Sequence, residues 1–213
     1  MTFRIPRGLI ATCAVASAVL FTLAAAAYPG GNHFDHGAAG HDFWRNALCD
    51  VARSTAIGGA PNPIGAGFAR VAMSTMAIAI GLLLWSLPRH FPRRVVVRQV
   101  VRFFAAITVP AALAVVFLPT DRFSDIHGMV TVIAGLLGTV GATLAVLAGV
   151  RDTRRPSIFL GVLTLAAAFG SLGAYVVELI GGGPPRLAVP ALEHVAAVLL
   201  VAWMLAFEAE ARV

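Results

Sequence analysis

The chain has 213 residues, 59% of them hydrophobic and 12% charged, a composition that excludes a water-soluble globular fold, in which about a quarter of residues carry charge. A formal charge of +6 would suggest nucleic acid in a soluble protein, but all sixteen basic residues are arginine and lie at the ends of apolar runs, which points instead to anionic lipid headgroups. The two cysteines, Cys13 in an apolar run and Cys49 in a polar one, offer no disulfide framework.

Crossing a hydrocarbon core of about 30 Å takes roughly 20 helical residues. Runs of that kind fall at 8–28, 68–87, 102–118, 128–150, 157–180 and 189–207. Each is expected to be helical, because a lone strand facing lipid leaves its backbone unpaired. The fold class is therefore all-α, a single six-span bundle over residues 1–213. Pro29-Gly30-Gly31, Pro88, Pro119, Pro156 and Gly181 to Pro185 punctuate the joints.

The first run follows Arg4 and Arg7 and ends in Ala24 to Ala27 before Tyr28, which also fits a secretory signal with a small-residue cleavage site. At about 20 residues it is long for a signal core and reads as an uncleaved span. A loop at 29–67 comes next. Its segment His41 to Ala52 places Phe43, Ala47 and Val51 four apart, with Trp44 and Leu48 beside them, which predicts an amphipathic turn of helix over the bundle or on the membrane plane. Asp42 is placed to cap its start, and Asn62 before Pro63 is expected to be extended. His33, Asp35, His36 and His41 are ligand types in a stretch that reads as solvated loop.

Pro110 inside the third span predicts a kink. Pro119 to Gly128 reads as a tight hairpin in which Asp121 or Asp125 pairs with Arg122 and Asp125 caps the fourth span. From His127 a seam of small residues runs through Thr131, Gly135, Gly138, Ala142, Ala145 and Gly149, the kind of face that lets helices approach closely. In the fifth span Glu178 tops a similar stripe of Ala174, Gly170 and Ala166; its bland reading is a snorkelling carboxylate paired with Arg186. Glu193 and His194 open the sixth span just after Pro190.

Arginine counting orients the bundle. Arg4, Arg7, Arg89, Arg93, Arg94, Arg98, Arg102, Arg151, Arg154, Arg155 and Arg212 lie on one side, against Arg45, Arg53, Arg70, Arg122 and Arg186 on the other, which places both termini in the cytoplasm, while arginine without lysine and heavy alanine, glycine and proline use suggest a bacterial source and hence an inner membrane. Tyr28, Trp44 and Tyr175 then mark the outer boundary, and Trp85 and Trp203 the inner one. The acids and histidines gather on the outer side. Asp42, Asn46, Asp50, Asn62, Asp121, Asp125, His127, Glu178, Glu193 and His194 form the candidate binding set.

Packing of the last three spans would let His127, Glu178 and His194 meet at one depth, where they could hold zinc with a position open for water. The close histidine pair of a metalloprotease helix is absent.

The blocks His41-Asp42-Phe43-Trp44-Arg45-Asn46 with Cys49-Asp50, Gly59-Ala60-Pro61-Asn62, and Leu118-Pro119-Thr120-Asp121 with His127 resemble a family of uncharacterised six-span bacterial membrane proteins. That family is a domain of unknown function, distantly similar to the damage-regulated autophagy modulator proteins. The resemblance implies six helices and an outer polar cap. A fainter likeness is to the ceramidase and progestin-receptor superfamily, whose pattern has seven spans and a histidine pair on the last, where this chain has His194 alone.

The leading functional expectation is a non-catalytic protein that engages membrane lipid, a membrane-protein partner or another copy of itself through an outer-leaflet polar cleft, with no cofactor. The enzyme alternative is a zinc-dependent hydrolase of a lipid headgroup, with His127 and His194 as ligands, Glu178 or Asp121 as ligand or base, and Asp50 orienting. A third reading is a proton-coupled transporter using Glu178, against which the spans are nearly free of charge at mid-depth.

Overall fold

The computed structural model describes residues 6–152, 156–181 and 187–210, with backbone alone at 151 and 152. Arg4, Arg154, Arg155, Arg186, Arg212 and the joint at 182–185 lie outside the described residues. Six helices are long and apolar enough to cross a membrane: α1 Leu9–Ala26, α2 Pro63–Ser86, α3 Val95–Phe117, α4 Thr120–Asp152, α5 Pro156–Gly181 and α6 Ala188–Glu210. This is the all-α six-span architecture that the apolar runs predict.

Most helices extend past the hydrophobic runs. α2 starts five residues early because Pro63 occupies its first turn, where a missing N–H costs nothing. α3 takes in Val95 to Arg102, since arginine is a good helix former whose long stem lies along apolar surface. It continues through Pro110 as one helix. α4 begins at Thr120 with Asp121 in its first turn, and Phe123, at φ −133° and ψ 36°, breaks the helical path before the long run begins. Asp125 therefore does not cap α4; it lies exposed beyond the break.

Each helix packs on its neighbours in the chain, and α6 closes on α1, so the six form a ring in sequence order with α2 also touching α4. Gly8 N–H donates to Glu208 Oε2 at 2.9 Å, which puts the start of α1 and the end of α6 at one end of the ring. We call this the terminal end and the opposite one the loop end. Within the ring, Ser17 Oγ donates to Ala72 O at 2.8 Å, tying α1 to α2.

The main core is dense towards the terminal end, where Ile10, Leu87, Phe91, Val101, Met204 and Phe207 are fully buried. Glycines allow the close approaches there. A Cβ at Gly141 would lie 2.7 Å from Phe104 Cβ, one at Gly149 2.6 Å from Ile158 Cδ1, and one at Gly161 2.9 Å from the Trp203 ring. Trp203 is thus a core residue on Gly161, 1% exposed, and not a boundary aromatic. The small-residue seam of α4 holds, with Ala142 and Ala145 buried, but that of α5 is offset: Ala166 is exposed and the buried face runs through Gly161, Thr164 and Leu165.

The segment His41 to Ala52 is not an amphipathic helix. It makes a single turn closed by Asn46 N–H to Asp42 O at 2.9 Å, then a 3₁₀ turn at Asp50–Ala52. The reason is local competition. Asp42 Oδ1 accepts Trp44 N–H and Asn46 Oδ1 accepts Asp42 N–H, which cap the start of the turn as expected of Asp42, but Asp50 Oδ2 accepts Ala47 N–H, an amide proton that a continuing helix would need.

Candidate functional site

The loop between α1 and α2 forms a roof across the loop end, built mostly from side-chain bonds to backbone. Gly30 and Gly31 have φ of 139° and 86°, a region that side chains avoid, and this turns the chain back on itself. Tyr28 Oη then donates to Gly31 O at 3.2 Å and accepts Ile57 N–H at 3.0 Å. Asn46 Nδ2 donates to the same Gly31 carbonyl at 2.9 Å. Asn62 is not fully extended; at φ −127° and ψ 52° its Nδ2 reaches Val51 O and Arg53 O at 3.0 and 3.1 Å.

Two helices clamp this roof. Asp121 Oδ2, at the start of α4, accepts Ser54 N–H at 2.9 Å and Thr55 N–H at 3.2 Å, so this oxygen ties down the roof, while Oδ1 is buried without a hydrogen-bond partner. Glu193 Oε2 on α6 accepts Leu48 N–H at 2.9 Å. Six of the candidate residues, Asp42, Asn46, Asp50, Asn62, Asp121 and Glu193, therefore hold the roof's backbone.

The roof also sets the state of its own titratable groups. The carboxylate of Asp50, 3.6 Å from His33 Nε2, holds that imidazole above its ordinary pKa against partial burial. Burial pushes His41 the other way, with His194 adding to the effect. The Tyr28 hydroxyl is raised by burial. Burial pushes the Cys49 thiol well up, with Glu193 and Asp50 reinforcing it.

Beneath the roof the ring carries two adjoining, partly open cavities. The larger is a chamber of about 600 Å³ with overwhelmingly apolar walls, reaching from Phe43 and Leu48 at the roof to Leu83, Leu84 and Trp203 at the floor. The smaller, about 310 Å³, lies between α4, α5 and α6 and is more polar, with His33, His127, Tyr175 and Glu178 in its wall. Cys49, Thr131, Gly135, Thr139, Ala168 and Glu193 line both and so mark the junction.

His127 and Glu178 therefore do share a cavity, as the sequence suggests, whereas His194 faces the chamber. His127 Nδ1 lies 2.6 Å from Leu118 O and His194 Nδ1 2.8 Å from Pro190 O. A carbonyl only accepts, so in each ring Nδ1 carries a proton and donates it. His194 is 2% exposed, packed against Phe43 with ring centroids 4.3 Å apart, and its Nε2 has no partner. Among the described residues no group of three His, Cys, Asp or Glu is placed to hold a metal ion. His127, Glu178 and His194 accordingly do not assemble into the zinc ligand set expected of them.

Sequence reasoning missed the chamber and the junction. The available signal was a set of threonines inside spans, since Thr108, Thr131, Thr139 and Thr164 all line the chamber. The ionisable groups in its wall, Cys49, Glu193 and His194, all lie at the roof. No protein-family model, curated protein or solved structure matches this chain.

Proposed function

We propose that this multi-pass membrane protein is a non-catalytic binder of an amphiphilic lipid, held with its apolar chain in the chamber and its polar end at the junction with the smaller cavity. The observation that supports this is the joining of an apolar space of about 600 Å³ to a less apolar one of about 310 Å³, with His127 and Glu178 in its wall, beneath a tied roof. A volume in the range of roughly 300–1,000 Å³ suits a ligand of drug size. In a bilayer a lipid chain is already in apolar surroundings, so burying it in protein brings little hydrophobic gain. Selection then rests on shape and on the polar end, where Thr131 Oγ1 at the junction has no hydrogen-bond partner, nor has His194 Nε2 in the chamber wall beside the roof.

On this reading the terminal end, rich in arginine, faces the cytoplasm of a bacterial inner membrane and the roof faces outward. The likeness to the six-span bacterial family belongs to the same proposal, since an outer polar cap is what that family implies.

Ala168 lines both cavities and Ala166, on the same helix, is exposed. Native mass spectrometry of the protein released from nanodiscs tests the proposal. Wild type and Ala166→Trp are expected to carry a bound lipid, and Ala168→Trp to lose it. Equal lipid retention by Ala168→Trp, or a wild type free of lipid, would overturn the proposal.

A further inference from the structure

The terminal end carries a second feature, independent of the chamber. Between Asp50 and Asp121 the chain has no acidic residue, yet Arg89, Arg93, Arg94, Arg98 and Arg102 fall together around the α2–α3 turn. The carboxylates of α6 at this end are already engaged. Glu208 accepts Gly8 N–H, and Glu210 accepts the N–H and hydroxyl of Ser157 at 2.8 and 2.6 Å. Arg89 is also engaged, donating to Phe207 O at 2.7 Å with its guanidinium 3.7 Å from the Phe207 ring centroid.

Arg98 and Arg102 differ from these. They stand four residues apart on α3 and so share a face. Both are half-buried, each Nε is sealed from solvent without a hydrogen-bond partner, and neither makes an ion pair among the described residues. The Arg102 guanidinium lies 5.2 Å over the ring of Trp85, which anchors it at the depth where amphipathic aromatics meet the headgroups. A guanidinium keeps its charge at any physiological pH, so two of them half-buried on one face favour an anion there. At that depth the abundant anion is the lipid phosphate, whose oxygens match the planar donor fork.

The geometry points to Arg98 and Arg102 as a clamp for the phosphodiester of an anionic phospholipid at the arginine-rich end of the bundle. The ligand class is a phosphate oxyanion carried by a lipid with net negative charge; a zwitterionic headgroup offsets its own phosphate with an ammonium and is held less well.

The test uses the full chain in phosphatidylcholine nanodiscs containing a minor share of phosphatidylglycerol, with bound lipid counted by native mass spectrometry after partial delipidation. Wild type is expected to enrich phosphatidylglycerol, and Arg98→Gln/Arg102→Gln to lose that enrichment by roughly tenfold or more. Arg93→Gln, at an exposed arginine, is expected to keep it. Arg98→Gln alone, expected to show a smaller loss, serves if the double variant does not fold. Equal enrichment in wild type and the clamp variants would overturn the inference. So would an equal loss in Arg93→Gln, which would mean diffuse charge, or displacement of the lipid by inorganic phosphate, which would mean a soluble-anion site. Ala168→Trp leaves this enrichment unchanged, so this site and the chamber stand or fall separately.

Discussion

Glu193 on α6 accepts the backbone N–H of Leu48 at 2.9 Å across 145 residues of chain, and in doing so fixes the roof over the junction of the two cavities. A carboxylate at this point serves as a tether first. Its oxygen meets an amide that has no other way to be satisfied at the edge of an apolar chamber.

Removing the tether should loosen the roof. Glu193→Ala leaves the Leu48 N–H unsatisfied, at an expected cost of about 1–3 kcal/mol, while Glu193→Gln keeps an acceptor and costs less. Hydrogen exchange of the 47–50 amides and the thermal midpoint read this out, with faster exchange in the alanine variant than in the glutamine one. Unchanged exchange at Leu48 in Glu193→Ala would show that the tether is not formed.

Two roof histidines should respond to pH in opposite senses. His33 has its pKa raised by Asp50, so its contribution is fully present below the ordinary value of about 6.5 and is lost as pH rises through the raised folded value. His41 is lowered by burial, so its contribution is present above that ordinary value and is lost as pH falls through the lowered folded value. Side-chain NMR titration checks both. Asp50→Asn is expected to bring the His33 pKa down, and the stability effect is small because His33 is about half exposed and screened by water.

Cys49 should be a sluggish nucleophile. Its thiol is held protonated, and the thiolate is the reactive form. Alkylation by iodoacetamide at neutral pH is expected to be about tenfold or more slower than at a cysteine placed at exposed Ser124 by Ser124→Cys. Comparable rates would mean that Cys49 is neither buried nor raised.

Gly31 should tolerate no side chain. At φ 86° an alanine costs about 1–2 kcal/mol from the backbone conformation alone, and its Cβ would also collide with the Gly58 backbone N. Gly31→Ala is expected to lower the thermal midpoint more than Gly40→Ala, where φ is 64° but no atom lies within 4 Å of the added Cβ. A larger loss at Gly40 would place the strain elsewhere.

The spans were legible in the sequence because a long apolar helix has one stable place in a cell, and arginine, glycine and proline mark its approximate ends. The exact ends were not, since Val95 to Val101, Arg98 among them, lengthen α3 ahead of the apolar run. The roof was misread because two four-residue periods overlap there. Phe43, Ala47 and Val51 spell an amphipathic helix, while Asp42 caps a single turn and Asp50, on the same spacing, captures the Ala47 amide that a second turn would need. His127 and Glu178 could be placed at one depth by counting turns. Their separation from His194 depends on how the helices are rotated and arranged in the ring, which one chain does not encode in its local pattern.

Trp203 closes the bottom of the chamber because Gly161 gives its indole room to lie against α5. On the proposed lipid-binding reading, one ring seated where a methyl group is missing limits the depth open to a guest chain. Trp203→Leu is then expected to shift the chain lengths retained in native mass spectrometry towards longer ones. Gly161→Ala, whose Cβ would meet the Trp203 ring at 2.9 Å, is expected to change the same profile without touching any polar group at the roof.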